Sequence, residues 1–119
     1  GGSTWLLPRL IGMRRTQELL FENRELSAPE AVEWGLATRT VPKDTAREAA
    51  IELAHQLSKG PTQAFASTRR LLHTSLNNNF LNQTKLETRE IGDNMTGIDG
   101  QEGLDAFINK RSPVFTGKR

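Results

Sequence analysis

Cysteine is absent from this chain of 119 residues, which excludes disulfides, thiolate catalysis and any metal site built on sulfur. Long apolar runs are missing too. No stretch approaches the roughly 20 apolar residues of a membrane span, and no basic flank followed by an apolar core marks a signal peptide. Hydrophobic residues supply only 35% of the chain and the mean hydropathy is -0.55, so the core must be thin. One domain is expected from the length, and it buries a smaller share of its surface than a full-sized domain does. Such a chain needs a partner surface to complete it.

Histidine is scarce. His55 and His73 fall on different expected helices, without the close His/Asp/Glu spacing of a metal site. No nucleophile is paired with a base, because the Ser and Thr residues sit where they cap helices or line helix faces. The excess of positive charge is small, with 16 basic residues against 14 acidic ones and a pI of about 9.4. The basic residues come in scattered pairs, Arg14-Arg15, Arg69-Arg70, Lys110-Arg111 and Lys118-Arg119, so no cationic face for nucleic acid is expected.

What is present reads as helix. Met13, Leu19 and Leu20 interleave with Arg14, Arg15, Gln17 and Glu18 after a Gly12 break, giving a short amphipathic helix from Met13 to Phe21. Pro8 restricts what precedes it to a helical first turn or an extended entry. Ser27-Ala28-Pro29-Glu30 is a capping box with proline in the first turn, and the helix it opens runs to Trp34 and stops at Gly35. Residues 36–41 alternate weakly and suit one short extended segment before Pro42. Asp44 or Thr45 then caps a long helix carrying Ala46, Ala49, Ala50, Leu53, Ala54 and Leu57, ended by Gly60-Pro61. Thr62 caps the next, with Ala64, Phe65, Thr68, Leu71, Leu72 and Leu76 as its stripe. Asn77-Asn78-Asn79 interrupts, a further helix covers 80–95, and Asp99 caps a last one over 100–110 that Ser112-Pro113 terminates. The carboxylates Glu18, Glu22, Glu25, Glu30 and Glu33 sit in helical contexts and are expected to pair with basic side chains rather than move protons. The expected class is mainly α, with at most one short strand.

Certain strings carry a resemblance. The end of the chain reads Glu102-Gly103-Leu104-Asp105-Ala106-Phe107-Ile108-Asn109-Lys110-Arg111-Ser112-Pro113-Val114-Phe115-Thr116-Gly117. The middle reads Ser27-Ala28-Pro29-Glu30-Ala31-Val32-Glu33-Trp34-Gly35-Leu36, followed by Val41. The start reads Gly1-Gly2-Ser3-Thr4-Trp5-Leu6-Leu7-Pro8-Arg9-Leu10-Ile11-Gly12. In that order they resemble the enoyl-CoA hydratase/isomerase (crotonase) superfamily, along essentially the whole chain. The resemblance implies a helical C-terminal region, residues 1–119, of the kind that covers the active site and builds the trimer, with the N-terminal spiral core absent.

The function it implies is oligomerisation and covering of the active site in an enzyme acting on acyl-CoA thioesters, an enoyl-CoA hydratase (a lyase) or isomerase. Trp5 inclines this toward the isomerase-like branch of aromatic-acid degradation. The chain lacks a Gly-rich turn that would donate N–H groups to a thioester enolate, so it is expected to be inactive alone and no catalytic residue is assigned. By resemblance, Gly1, Gly2, Trp5 and Leu6 border the acyl pocket. Lys110, Arg111 and Phe115 approach the nucleotide end of coenzyme A, where a cation meets phosphate. No metal and no cofactor is expected beyond the coenzyme A of the substrate. The expected partners are acyl-CoA and further copies of the chain in a trimer-based homo-oligomer, without nucleic acid or membrane, in the cytoplasm. The rival expectation is a free-standing helical assembly module derived from a truncated crotonase homologue.

Overall fold

The computed structural model describes residues 1–118, and among them every regular element is a helix. The helices are α1 (Ser3–Ile11), α2 (Met13–Phe21), α3 (Ala28–Glu33), α4 (Ala46–Ser58), α5 (Thr62–Ser75), α6 (Phe80–Thr96) and α7 (Ile98–Ile108). The segment 36–41 forms no strand, since a lone extended stretch has no neighbour to complete its ladder of hydrogen bonds. The chain divides into two compact units, Gly1–Arg47 and the residues from Glu48 onward.

In the first unit α1 packs along α2 across Gly12, whose φ of 82° is the left-handed backbone that glycine adopts cheaply. The Gly12 carbonyl accepts from both the N–H (3.1 Å) and the hydroxyl (2.8 Å) of Thr16, which is buried. Pro8 lies inside α1, not at its edge. It supplies no N–H to the turn before it, but its carbonyl still accepts from Gly12 N–H at 3.1 Å and the helix runs through.

The capping box forms as the sequence predicts. Glu30 N–H donates to Ser27 Oγ at 3.4 Å, and Ser27 N–H donates to Glu30 Oε2 at 3.1 Å. At the other end of α3, Gly35 N–H reaches the Val32 carbonyl and Leu36 N–H the Ala31 carbonyl, with Gly35 at φ 78°. This is a Schellman closure, which satisfies carbonyls that the helix end would otherwise leave open. Two guanidinium groups lie over the Trp34 ring, Arg15 at 5.0 Å and Arg24 at 4.9 Å from its centre. Arg24 also bridges Glu18 (2.9 Å) and Glu30 (3.3 Å), so those carboxylates are structural partners, as their helical context suggested.

In the second unit α5 packs on α6 and α6 on α7. The α5–α6 seam is polar. Asn94 Nδ2 donates to Ser67 Oγ (2.9 Å) and to the Glu90 carbonyl (2.7 Å), while Arg70 bonds both Ser67 Oγ (3.0 Å) and Glu90 (2.9 Å). Further along, Gln83 Nε2 donates to the Leu71 carbonyl at 3.1 Å. The cap of α5 differs from expectation. Pro61, not Thr62, is the N-cap of α5, and its carbonyl accepts from Phe65 N–H. Asp44 takes a left-handed φ of 67°, and the Thr45 hydroxyl donates back to the Pro42 carbonyl at 2.8 Å. The last asparagine of the triplet has a structural task, because Asn79 Oδ1 accepts from Asn82 N–H and caps α6.

The core is as thin as the composition implies. Ile11 and Ala106 are the buried apolar side chains among the described residues. Phe21, Phe80 and Phe107 are each at least 80% exposed, far from the burial usual for phenylalanine.

Candidate functional site

The residues singled out by the sequence fall into two groups, one in each unit. In the first, Gly2 is the N-cap of α1 at φ 94°, and its carbonyl accepts from Trp5 N–H (3.1 Å) and Leu6 N–H (2.8 Å). Gly1 precedes it in open space. These contacts place Trp5 and Leu6 on the opening turn of α1, both partly exposed. Arg9 lies over the Trp5 ring at 4.0 Å from its centre and donates to the Trp5 carbonyl at 2.7 Å, which fixes the indole against the helix. The result is an apolar, partly exposed helix start with a cation stacked on its aromatic ring. It contains no acid or base.

The second group lies at the end of α7 and in the tail that follows. The sequence predicts Asp99 as the cap of this helix, but the helix begins at Ile98 with Gly97 as N-cap. Asp99 is buried in the first turn and turns its carboxylate to the tail. Its Oδ1 accepts from Thr116 N–H (2.7 Å) and the Thr116 hydroxyl (3.0 Å), and its Oδ2 accepts from Gly117 N–H (2.8 Å). These bonds, the Thr116 amide foremost, hold the Asp99 carboxyl below its ordinary range against the opposing effect of burial. One turn on, Glu102 accepts from Val114 N–H at 2.7 Å and is gripped by both terminal nitrogens of Arg111, at 2.6 and 2.7 Å. The Arg111 bonds first, then the Val114 amide, lower the Glu102 carboxyl to about 2.

The helix itself stops before Ser112-Pro113. Lys110 takes a left-handed φ of 51°, its N–H reaches the Phe107 carbonyl and Arg111 N–H reaches the Ala106 carbonyl, a second Schellman closure without glycine. Lys110 is exposed. Phe115 is half-buried and lies over Gly103, where an added Cβ would stand 3.6 Å from its ring. Gln63 of α5 donates to the Gly117 carbonyl at 2.9 Å, tying the tail to a second helix. A cavity of about 270 Å³ opens in this unit beside Ser67, Asn94, Gly97, Asp99, Gly100 and Lys118, and neither Lys110, Arg111 nor Phe115 lines it. Among the described residues no group of His, Asp and Glu side chains is arranged to hold a metal, and no helix is long and apolar enough to cross a membrane.

Sequence reasoning missed the structural roles of Asp99 and Glu102. Their partners stand 17 and 12 residues away along the chain, and no local spacing announces such a pairing.

An all-helical chain with an aromatic-tipped first helix and a tail strapped to the last one is an architecture with solved counterparts. The model of the enoyl-CoA hydratase/isomerase family matches residues 1–118. A "1,2-epoxyphenylacetyl-CoA isomerase" of Escherichia coli is 36% identical over 98% of this chain and 45% of its own length. A "probable enoyl-CoA hydratase" of Rhodobacter capsulatus is 37% identical over 98% of this chain and 46% of its own. The solved enoyl-CoA hydratase of Bacillus anthracis superposes with a TM-score of 0.88 at 32% identity, covering 98% of this chain and 45% of that one. The chain belongs to the enoyl-CoA hydratase/isomerase family, and it spans less than half the length of these relatives.

Proposed function

We propose that this chain is the C-terminal helical region of an enoyl-CoA hydratase or isomerase acting on acyl-CoA thioesters, where it covers the active site and builds a trimer-based homo-oligomer. The observation that carries this reading is the match itself, which takes nearly all of this chain and under half of each relative. The surface supports it. Large apolar side chains such as Leu10, Met13, Phe21, Phe80, Ile91 and Phe107 are exposed, whereas soluble monomers rarely expose large apolar patches.

In this reading Gly1, Gly2, Trp5 and Leu6 face the acyl group, with the glycine backbone allowing close approach. Lys110, Arg111 and Phe115 lie toward the nucleotide end of coenzyme A. The chain alone is inactive, because the backbone donors and carboxylates of the chemistry belong to the part of the fold that it does not supply. The substrate's coenzyme A is the only cofactor, and the compartment is the cytoplasm. The E. coli relative's name, together with Trp5, favours the isomerase branch of aromatic-acid degradation.

The test is an activity measurement with an enoyl-CoA thioester, on this chain and on a chain extended to the relatives' length from the same genome. Hydration or isomerisation by the extended chain alone is the expected result. Turnover by this chain alone would overturn the assignment.

A further inference from the structure

Resting on the reading above, the geometry points to a division of labour between the adjacent cations of the tail: Lys110 is the side chain free to meet an anionic ligand, while Arg111, with Glu102 and Asp99, is a positioning residue that sets where the tail lies. A guanidinium has five N–H donors, and the bonds of Arg111 account for four of them. Its Nη1 donates to Glu102 Oε1 (2.6 Å) and to the Ser112 carbonyl (3.2 Å), and its Nη2 donates to Glu102 Oε2 (2.7 Å) and Asp105 Oδ2 (2.6 Å). One cation and two carboxylates leave the trio with a net negative charge. A phosphate arriving there meets repulsion and a site with its donors taken, whereas bidentate phosphate recognition needs a free fork.

Arg111 and Glu102, together with Asp99 in place of Asp105, also hold the backbone. Glu102, fixed by Arg111, takes the Val114 N–H, and Asp99 takes the N–H groups of Thr116 and Gly117. Between these anchor points lies Phe115, its ring over Gly103. Two carboxylates on successive turns of α7 therefore fix the tail on either side of the aromatic ring. Lys110 is placed differently. It sits at the left-handed turn that closes α7, is exposed, and its ammonium has no hydrogen bond or ion pair among the described residues.

The experiment is amide hydrogen exchange of Val114, Thr116 and Gly117 in the full chain, read by NMR together with titration by coenzyme A. Arg111→Lys, Arg111→Gln, Asp99→Asn and Glu102→Gln are each expected to speed exchange at one or more of these amides by roughly tenfold or more, while the α5–α6 amides keep their protection. Lysine at 111 keeps the charge without the fork, so it is not expected to restore the tail. Lys110→Gln is expected to leave tail exchange unchanged and to weaken coenzyme A binding. If Arg111→Gln weakens coenzyme A binding while tail exchange is unchanged, Arg111 is a direct ligand and the assignment fails. Unchanged exchange in Asp99→Asn and Glu102→Gln sinks the strap. Should the unaltered chain bind no coenzyme A, that result counts against the functional reading, and the exchange data still decide the positioning role.

Discussion

Gly100 is where an added methyl group has nowhere to go. A Cβ built there falls onto the carbonyl oxygen of Asn94 and within 2.9 Å of that carbonyl carbon and of Met95 Cα. All of these are backbone atoms at the end of α6, so relief requires the α6–α7 corner to open rather than a side chain to rotate. Overpacking of this kind costs about 1–3 kcal/mol, offset by the gain of about 0.5–1 kcal/mol that alanine brings over glycine inside a helix. Gly100→Ala should therefore lose roughly 1–2 kcal/mol, a fall in Tm of the order of 5–10 °C for a unit of this size. Gly92 is the internal control. It lies within α6 with nothing within 4 Å of an added Cβ, so Gly92→Ala should gain about 0.5–1 kcal/mol from helix propensity alone. Thermal and denaturant unfolding followed by far-UV circular dichroism measures both. If Gly100→Ala proves as stable as Gly92→Ala, the close approach of α7 to α6 described above is wrong.

Three other outcomes are expected. Lys110→Gly should stabilise the chain by about 1 kcal/mol, because a left-handed C′ position penalises a residue with a Cβ, and equilibrium denaturation would show the gain. Ser27→Ala should cost about 1 kcal/mol through loss of the cap of α3, seen in the same unfolding measurement. The third outcome concerns acid. Glu102 titrates at about 2 when folded against an ordinary 4.5, so the stability it lends the tail is complete above pH 4.5 and is lost as pH falls toward 2. Asp99 is shifted in the same direction and adds to the same loss. The Val114 and Thr116 amide shifts should then stay constant through the ordinary carboxylate range and move only below it, and a midpoint near 4.5 would refute the strap.

What was legible in the sequence was local. The capping box at Ser27 and Glu30, the stop at Gly35 and the bounds of α2 each depend on residues within a turn or two of one another, and the structure reproduces them. Pro8 misled as a boundary because proline's cost inside a helix is finite and the rest of α1 absorbs it. Asn79 was hidden in a run of identical residues, only the last of which stands at the start of a helix. Asp99 had the composition of a cap but its bonds go to Thr116 and Gly117, and only the folded path of the tail brings them together. The division between Lys110 and Arg111 was illegible for the same reason. Neighbours in sequence, they part company because the left-handed turn at Lys110 sends Arg111 back toward Glu102 and Asp105.

The central claim is that this chain supplies the helical C-terminal part of a larger acyl-CoA enzyme. Reading the coding sequence immediately upstream of the Gly1 codon tests it most directly. The account predicts an in-frame extension somewhat longer than this chain, carrying glycine-rich turns and carboxylates. A start codon at or just before Gly1 would contradict it and leave a free-standing assembly module.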